Sequence, residues 1–410
     1  MQFLLRAATL LLTIGSIGIP TPVWAAPRYK VLHAFGTGTD GGGLWSSVVF
    51  DKNGNLYGTT SGGGAYGYGT VFELMPEPGG EWAETILRSF KNNDSDGSEP
   101  TGGLVFGTLN TLYGTTAGGG ASGYGTVFEL TPGAGEWTET VLFSFPVPQM
   151  SHKVGCCPQS GLIIGPRGSL YGTTSAAYEL THGSNGWKMA ILHVFGTGAN
   201  GDGSGPSAEM TRDIAGNLYG TTEGGGTSTR CDAGCGTVYE IAHMPDGAWK
   251  ESVLHSFSAR NDGSFPGFGD KLAIDSSGNL YGTALGGVGG HGVIFRMNRD
   301  SNGVWKETIL HSIYQAVNGD GPSSGVVMDK AGNLYGTTIA GGTASCGCGV
   351  VYKLSPGPND TWTYTVLHRF TGFDGAEPDA NLTLDDKGNI YGTTATGGAG
   401  GAGVVFEVTP

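Results

Sequence analysis

The chain predicts an all-β fold, a seven-bladed β-propeller of four-stranded antiparallel blades. Three observations carry this: a recurring pentapeptide, the segments around it, and a count of those segments. The string LYGTT, with small variations, occurs seven times, its tyrosines at Tyr57, Tyr113, Tyr171, Tyr219, Tyr281, Tyr335 and Tyr391. The intervals of 56, 58, 48, 62, 54 and 56 residues have the size of propeller or solenoid repeats. Glycine, at 78 of 410 residues, would suggest low complexity without a period; with this one it marks turns.

Each copy holds four short apolar segments. The first reads Val48-Val49-Phe50-Asp51 or Leu382-Thr383-Leu384-Asp385, and the second is LYGTT, entered through a tight Gly-Asn turn such as Gly54-Asn55. The third reads Thr70-Val71-Phe72-Glu73-Leu74 and the fourth Val253-Leu254-His255-Ser256-Phe257. All four are rich in β-branched and aromatic residues and bounded by Gly, Asn, Asp or Pro, which predicts strands. No segment sustains a 3.6-residue period, so helix is not expected. Short connections make each copy a meander, and radial repetition buries each sheet against its neighbours. The count decides between a ring and an open stack. The fourth-type segment Val31-Leu32-His33-Ala34-Phe35 precedes the first full repeat, and the last repeat, ending at Pro410, lacks one. A ring brings the two together, so the strand at 29–35 is expected to complete blade seven.

Arg6, the apolar stretch Ala7 to Ile19 and the small-x-small site Val23-Trp24-Ala25 predict a signal peptide over 1–25, cut before Ala26. Residues 26–410 then form one domain. A net charge of −14 and no basic run exclude nucleic acid and anionic membrane as partners. No second apolar stretch follows, so no membrane insertion of the mature chain is expected.

These segments resemble the GloVer (Gloeo/Verruco) tandem repeats of bacterial secreted and surface proteins, roughly GLxxDxxGNLYGTTxxGGxxxxGTVFxL followed by TVLxSF. The resemblance spans 29–410 and implies an extracellular propeller-like fold. It brings no catalytic residues. Members often carry a C-terminal surface anchor; ending at the last strand favours free secretion or the periplasm. A monomer is expected.

Chemistry is sought on the face where loops between second and third strands meet those joining one blade to the next, here the upper face. Asp-Gly recurs there at Asp40, Asp96, Asp202, Asp262, Asp320 and Asp374. No copy has the further oxygen ligands or distal Glu of a calcium loop, so Asp-Gly is read as turn chemistry. The glycine-rich loops run into strands rather than helix N-termini, which argues against nucleotide cradles. Trp82, Trp137, Trp187, Trp249, Trp305 and Trp362 share one position before fourth strands, which means packing. Histidines 33, 193, 255, 311 and 368 share another, spaced by the ring so that no metal lies between them. No cofactor and no metal are expected.

Blade three omits its glycine-rich loop, and the loop entering it holds His152, Lys153, Cys156 and Cys157, which predicts a notch in the rim. In an oxidising compartment the even cysteine count suggests disulfides. Cys231–Cys235 is a credible local pair; Cys346–Cys348 and Cys156–Cys157 are expected to be strained. A link from Cys156 or Cys157 to the blade-four loop is the alternative. Trp45, Tyr66, Tyr68, Tyr124, Phe265 and Phe268 fall in upper loops, most without a match in other blades. Aromatics beside Asn and Asp suit sugar recognition. The expected function is a secreted binding module for a glycan or extracellular protein. A carbohydrate-active enzyme, such as a polysaccharide lyase or hydrolase, and a structural surface protein are the alternatives. Polar residues spread almost evenly over the blades, where an enzyme needs a unique cluster in the central funnel.

Overall fold

The computed structural model of the chain describes residues 26–36, 39–147, 155–196, 201–266, 271–343 and 345–410. The expected leader, and His152, Lys153 and Phe268, lie outside the described residues. No helix among those described is long and apolar enough to cross a membrane.

Seven four-stranded antiparallel sheets form the ring. Blade one runs from a two-residue inner strand, Val49–Phe50, through Leu56–Thr60 and Thr70–Pro76 to the outer strand Trp82–Ser89. Blade seven takes its inner strands from Thr383–Leu384, Ile390–Thr394 and Val404–Thr409, and its outer strand from Arg28–Ala34. Arg28 pairs with Thr409 and Ala34 with Val404. The N-terminal strand therefore closes the ring. The inner strands line a central channel of about 1030 Å³.

Each position of LYGTT has a physical task. Leu56 is fully buried, and the Tyr57 hydroxyl donates to Glu73 Oε1 on the third strand at 2.6 Å. Gly58 admits the ring of Phe72: a Cβ there would lie 2.5 Å from Phe72 Cζ. The first Thr ties blade to blade, as when Thr115 Oγ1 donates to Ser160 O of blade three and Thr393 Oγ1 to Ser46 O of blade one. The second turns back on its own chain, Thr60 Oγ1 donating to Gly62 O. A buried hydroxyl must find a partner or cost free energy, so these contacts explain why Thr, and not Val, recurs.

Where blades one, two, five and seven place Phe in that third-strand position, blades three and four place Tyr178 and Tyr239. Both are fully buried, and neither hydroxyl has a hydrogen-bond partner among the described residues. The Tyr178 hydroxyl also sits 2.4 Å from where a Cβ on Gly172 would stand. Tyr178→Phe and Tyr239→Phe are therefore each expected to stabilise the protein by about 1 kcal/mol, through relief of a desolvated hydroxyl. Denaturant melts check this; a loss of stability in both variants refutes it.

Candidate binding site at the mouth of the central channel

The residue just before each inner strand's leading apolar side chain points into the throat of the ring. Reading round the blades, it is Ser47, Gly103, Gly161, Glu209, Lys271, Gly325 and Asn381. Three glycines leave room that two long charged side chains cross. Glu209 Oε2 reaches to 2.8 Å from where a Cβ on Gly161 would lie, and Lys271 Nζ donates to Glu209 Oε1. Asn381 Oδ1 accepts from the Gly325 N–H at 2.8 Å. Ser47, Glu209 and Asn381 border both the channel and a cavity of about 420 Å³ above it.

That upper cavity is also lined by Trp45, Gln159, Ser207, Glu223 and Asp379. Trp45 keeps 43% of its surface exposed. Glu223 follows the LYGTT of blade four, where the other blades carry Ser61, Ala117, Ser175, Leu285, Ile339 and Ala395. Ser207 Oγ donates to its Oε1 at 2.5 Å. Burial lifts the Asp379 carboxyl above the usual carboxylate range, with Ser323 pulling the other way. So the polar residues of the mouth are not spread evenly, as the sequence had suggested. Three carboxylates, one ammonium, two amides and an indole converge from blades one, three, four, five and seven. Comparing repeats column by column at these two positions would have found Glu209, Lys271 and Glu223.

Of the aromatics singled out in the sequence, Trp45 alone among the described residues lines the mouth. Tyr66 is exposed, with Lys91 Nζ 5.2 Å above its ring. Tyr68 and the half-buried Tyr124 hold equivalent positions, and each carbonyl clips the next blade, accepting from the N–H of Glu99 and Cys157 respectively. Phe265 makes the same clip, its N–H donating to Cys235 O at 2.8 Å from a left-handed backbone with φ 48°.

Cys231 is bonded to Cys235, and Cys346 to Cys348. In the second pair, expected to be strained, Gly347 between the cysteines adopts φ 63°, which folds the chain back and brings the Cα atoms to 5.2 Å. Cys156 and Cys157 are free and half-buried, so no link runs to the blade-four loop. Burial, then Cys156 beside it, pushes the Cys157 thiol up to about 12, which makes it a poor nucleophile.

The fourth-strand histidines meet carboxylates at the outer seams between blades. His33 Nε2 lies 3.2 Å from Asp40 Oδ1 and 3.8 Å from Glu84 Oε2, and His255 Nε2 lies 3.6 Å from both Asp262 Oδ2 and Glu307 Oε2. His193 lies 3.1 Å from Asp202 Oδ1, with Glu251 in the same group. At the seam between blades one and two, Arg88 stands in the histidine's place, 2.6 Å from both Asp96 and Glu139. At the next two aromatic seams the Glu is replaced by Tyr: His311 stacks on Tyr364 and His368 on Tyr29. Between blades two and three the pair is Phe143 and Met189. Burial beside a second carboxyl pushes Glu84 and Glu307 up to about 8, while burial lowers His255.

Fold and mouth together define a closed repeat propeller whose architecture is uniform and whose upper opening is not. The chain belongs to the Gloeobacter/Verrucomicrobia repeat family, whose profile matches residues 23–185 and 175–406. No functionally curated protein matches it. Among solved structures it is similar to a protein from Lactobacillus plantarum at 13% identity and TM-score 0.53, covering 83% of this chain and 88% of that one. It is also similar to an ancestral GH74 enzyme at 10% identity and TM-score 0.51, covering 87% of this chain and 56% of that one. At such identities the likeness is one of fold.

Proposed function

We propose that the protein is a binding module, exported from the cytoplasm, that takes a segment of glycan at the mouth of its central channel. The observation that carries this is the convergence of an exposed indole with carboxylates and amides around one cavity, on a ring otherwise built from repeats. An indole face stacks on the apolar side of a sugar, and the polar groups take its hydroxyls. Trp45 is the stacking platform; Gln159, Glu223, Asp379 and Asn381 are the hydroxyl partners. The two bonded cysteine pairs suit an oxidising compartment.

The three carboxylates favour one second reading, a glycan-cleaving enzyme, with Asp379 raised toward the range of a proton donor and Glu209 or Glu223 as the second carboxyl group. A glycan array separates the readings when followed by a depolymerisation assay on each glycan retained. Trp45→Ala is expected to weaken binding by about 2 kcal/mol, roughly thirtyfold, with an unchanged melting curve. The Tyr66→Ala/Tyr68→Ala/Tyr124→Ala variant tests the rim. If that variant loses affinity while Trp45→Ala keeps it, the mouth is the wrong site. New chain ends that vanish in Asp379→Asn establish the second reading instead.

A further inference from the structure

We infer that the outer seams between blades seven and one, three and four, and four and five each bind a zinc-type divalent metal, held by one histidine and two carboxylates. The groups are His33, Asp40 and Glu84; His193, Asp202 and Glu251; and His255, Asp262 and Glu307, each with ligand atoms within 4.8 Å of one another. The sequence argued against a metal between histidines of different blades. Here each histidine has its own pair of carboxylates instead, one from the loop that follows it and one from the next blade's outer strand.

Geometry is the first argument. Ligands at about 2.0–2.2 Å from a tetrahedral zinc stand about 3.3–3.6 Å apart. The separations of 3.2 and 3.8 Å at His33, and of 3.6 and 3.6 Å at His255, lie close to that edge length. From the histidine nitrogen, those four edges need change by no more than about half an ångström. His255 Nε2 and Glu307 Oε1 are buried without a hydrogen-bond partner among the described residues. Asp262 is already oriented from behind, accepting from the N–H and hydroxyl of Ser258 and the N–H of Arg260. Outer-shell donors of this kind set a ligand's direction. The histidine, carboxylates and partial solvent access of the seam leave a fourth position for water.

The second argument comes from the seams that lack the set. Where histidine is absent between blades one and two, the Arg88 guanidinium fills its place against Asp96 and Glu139. The carboxylate pair therefore takes a cation, and Arg88 shows where it sits. Where Phe143 replaces the cation, the next blade's Glu is replaced as well, by Met189. Where Tyr29 or Tyr364 replaces the Glu, the histidine stacks on its ring. The three ligands are complete or the seam uses other chemistry. A nitrogen ligand and only two carboxylates select zinc or cobalt over calcium, which wants six to eight oxygens. Each metal would tie one blade's outer strand to the next, and at His33 it would pin the closing strand.

The test is zinc titration of the chelator-stripped protein in a Cys156→Ser/Cys157→Ser background, which removes the free thiols. Calorimetry is expected to read three zinc per chain, and cobalt to give visible bands of four-coordinate intensity. Glu84→Gln, Glu251→Gln and Glu307→Gln should each lower the count by one, and Arg88→His should raise it by one. Millimolar calcium should leave the melting temperature unchanged, while zinc raises it. Uptake below one zinc per chain, or a count that none of these variants moves, overturns the proposal. If a Glu variant fails to fold, the gain in Arg88→His still decides.

Discussion

Deleting residues 26–36 is expected to abolish the cooperative melt of the intact protein and to make it aggregate. The segment supplies one strand, yet it touches three blades. Leu32 and Phe35 are buried, and the Phe35 ring meets Phe72 of blade one at 4.9 Å. Tyr29 stacks on His368 of blade six at 3.7 Å. Truncating a buried Leu and a buried Phe alone costs about 2–5 and 3–5 kcal/mol. Their sum reaches the whole stability of a typical domain. The deletion also bares the strand Val404–Thr409 along its full length, an unpaired edge carrying Val404, Val405, Phe406 and Val408 that invites pairing between molecules. Thermal unfolding followed by circular dichroism and light scattering measures both effects. A peptide of residues 26–36 added in excess should restore part of the melt. An unchanged midpoint without scattering would show that the ring closes some other way.

The ring was legible because architecture writes itself seven times. Leu56, Gly58 and Thr60 each answer a demand of packing that every blade repeats, so their column stands out in one chain without any relatives. Closure was legible from a strand too many at one end and one too few at the other. The mouth was legible only in part. Glu209 and Lys271 stand nine residues before their LYGTT, in the column of Ser47, Gly103, Gly161, Gly325 and Asn381, and a comparison of that column finds them, whereas Asp379 lies outside it and joins them only when the ring closes. Glu223 follows an intact LYGTT and could have been found there by comparing the seven residues that do so. The seams were half legible. His255 and Asp262 are near in sequence, but Glu307 lies in the next blade, and only the ring sets a fourth strand beside its successor. Tyr68, Tyr124 and Phe265 stand at a backbone clip between blades that neighbouring blades make with other residues.

Arg88→Met is expected to destabilise the protein by about 3 kcal/mol, the cost of leaving a buried charge without its partner. The Asp96 and Glu139 side chains are only 2% and 4% exposed, and Arg88 Nη2 stands 2.6 Å from an oxygen of each. Asp96 has one further donor, the Lys91 N–H at 3.0 Å. Burial and the Asp96 charge already raise the Glu139 carboxyl, and Arg88 pulls it down. Without the guanidinium the two carboxyls must share a proton, because like charges in contact cannot both ionise cheaply. The sign of the pH dependence follows. A carboxyl whose folded pKa stands above its unfolded value favours folding at low pH and loses that support as pH rises through the folded value. The variant should therefore lie closer to the parent at pH 5 than at pH 9. Adding Glu139→Met to Arg88→Met copies the apolar pairing of Phe143 with Met189 and should recover about half the loss, Asp96 remaining buried. A double-mutant cycle in denaturant at the two pH values reads the coupling directly. A cost below about 1 kcal/mol at pH 9, the range of exposed ion pairs, would mean that water reaches this seam and that its charges do not hold the blades together.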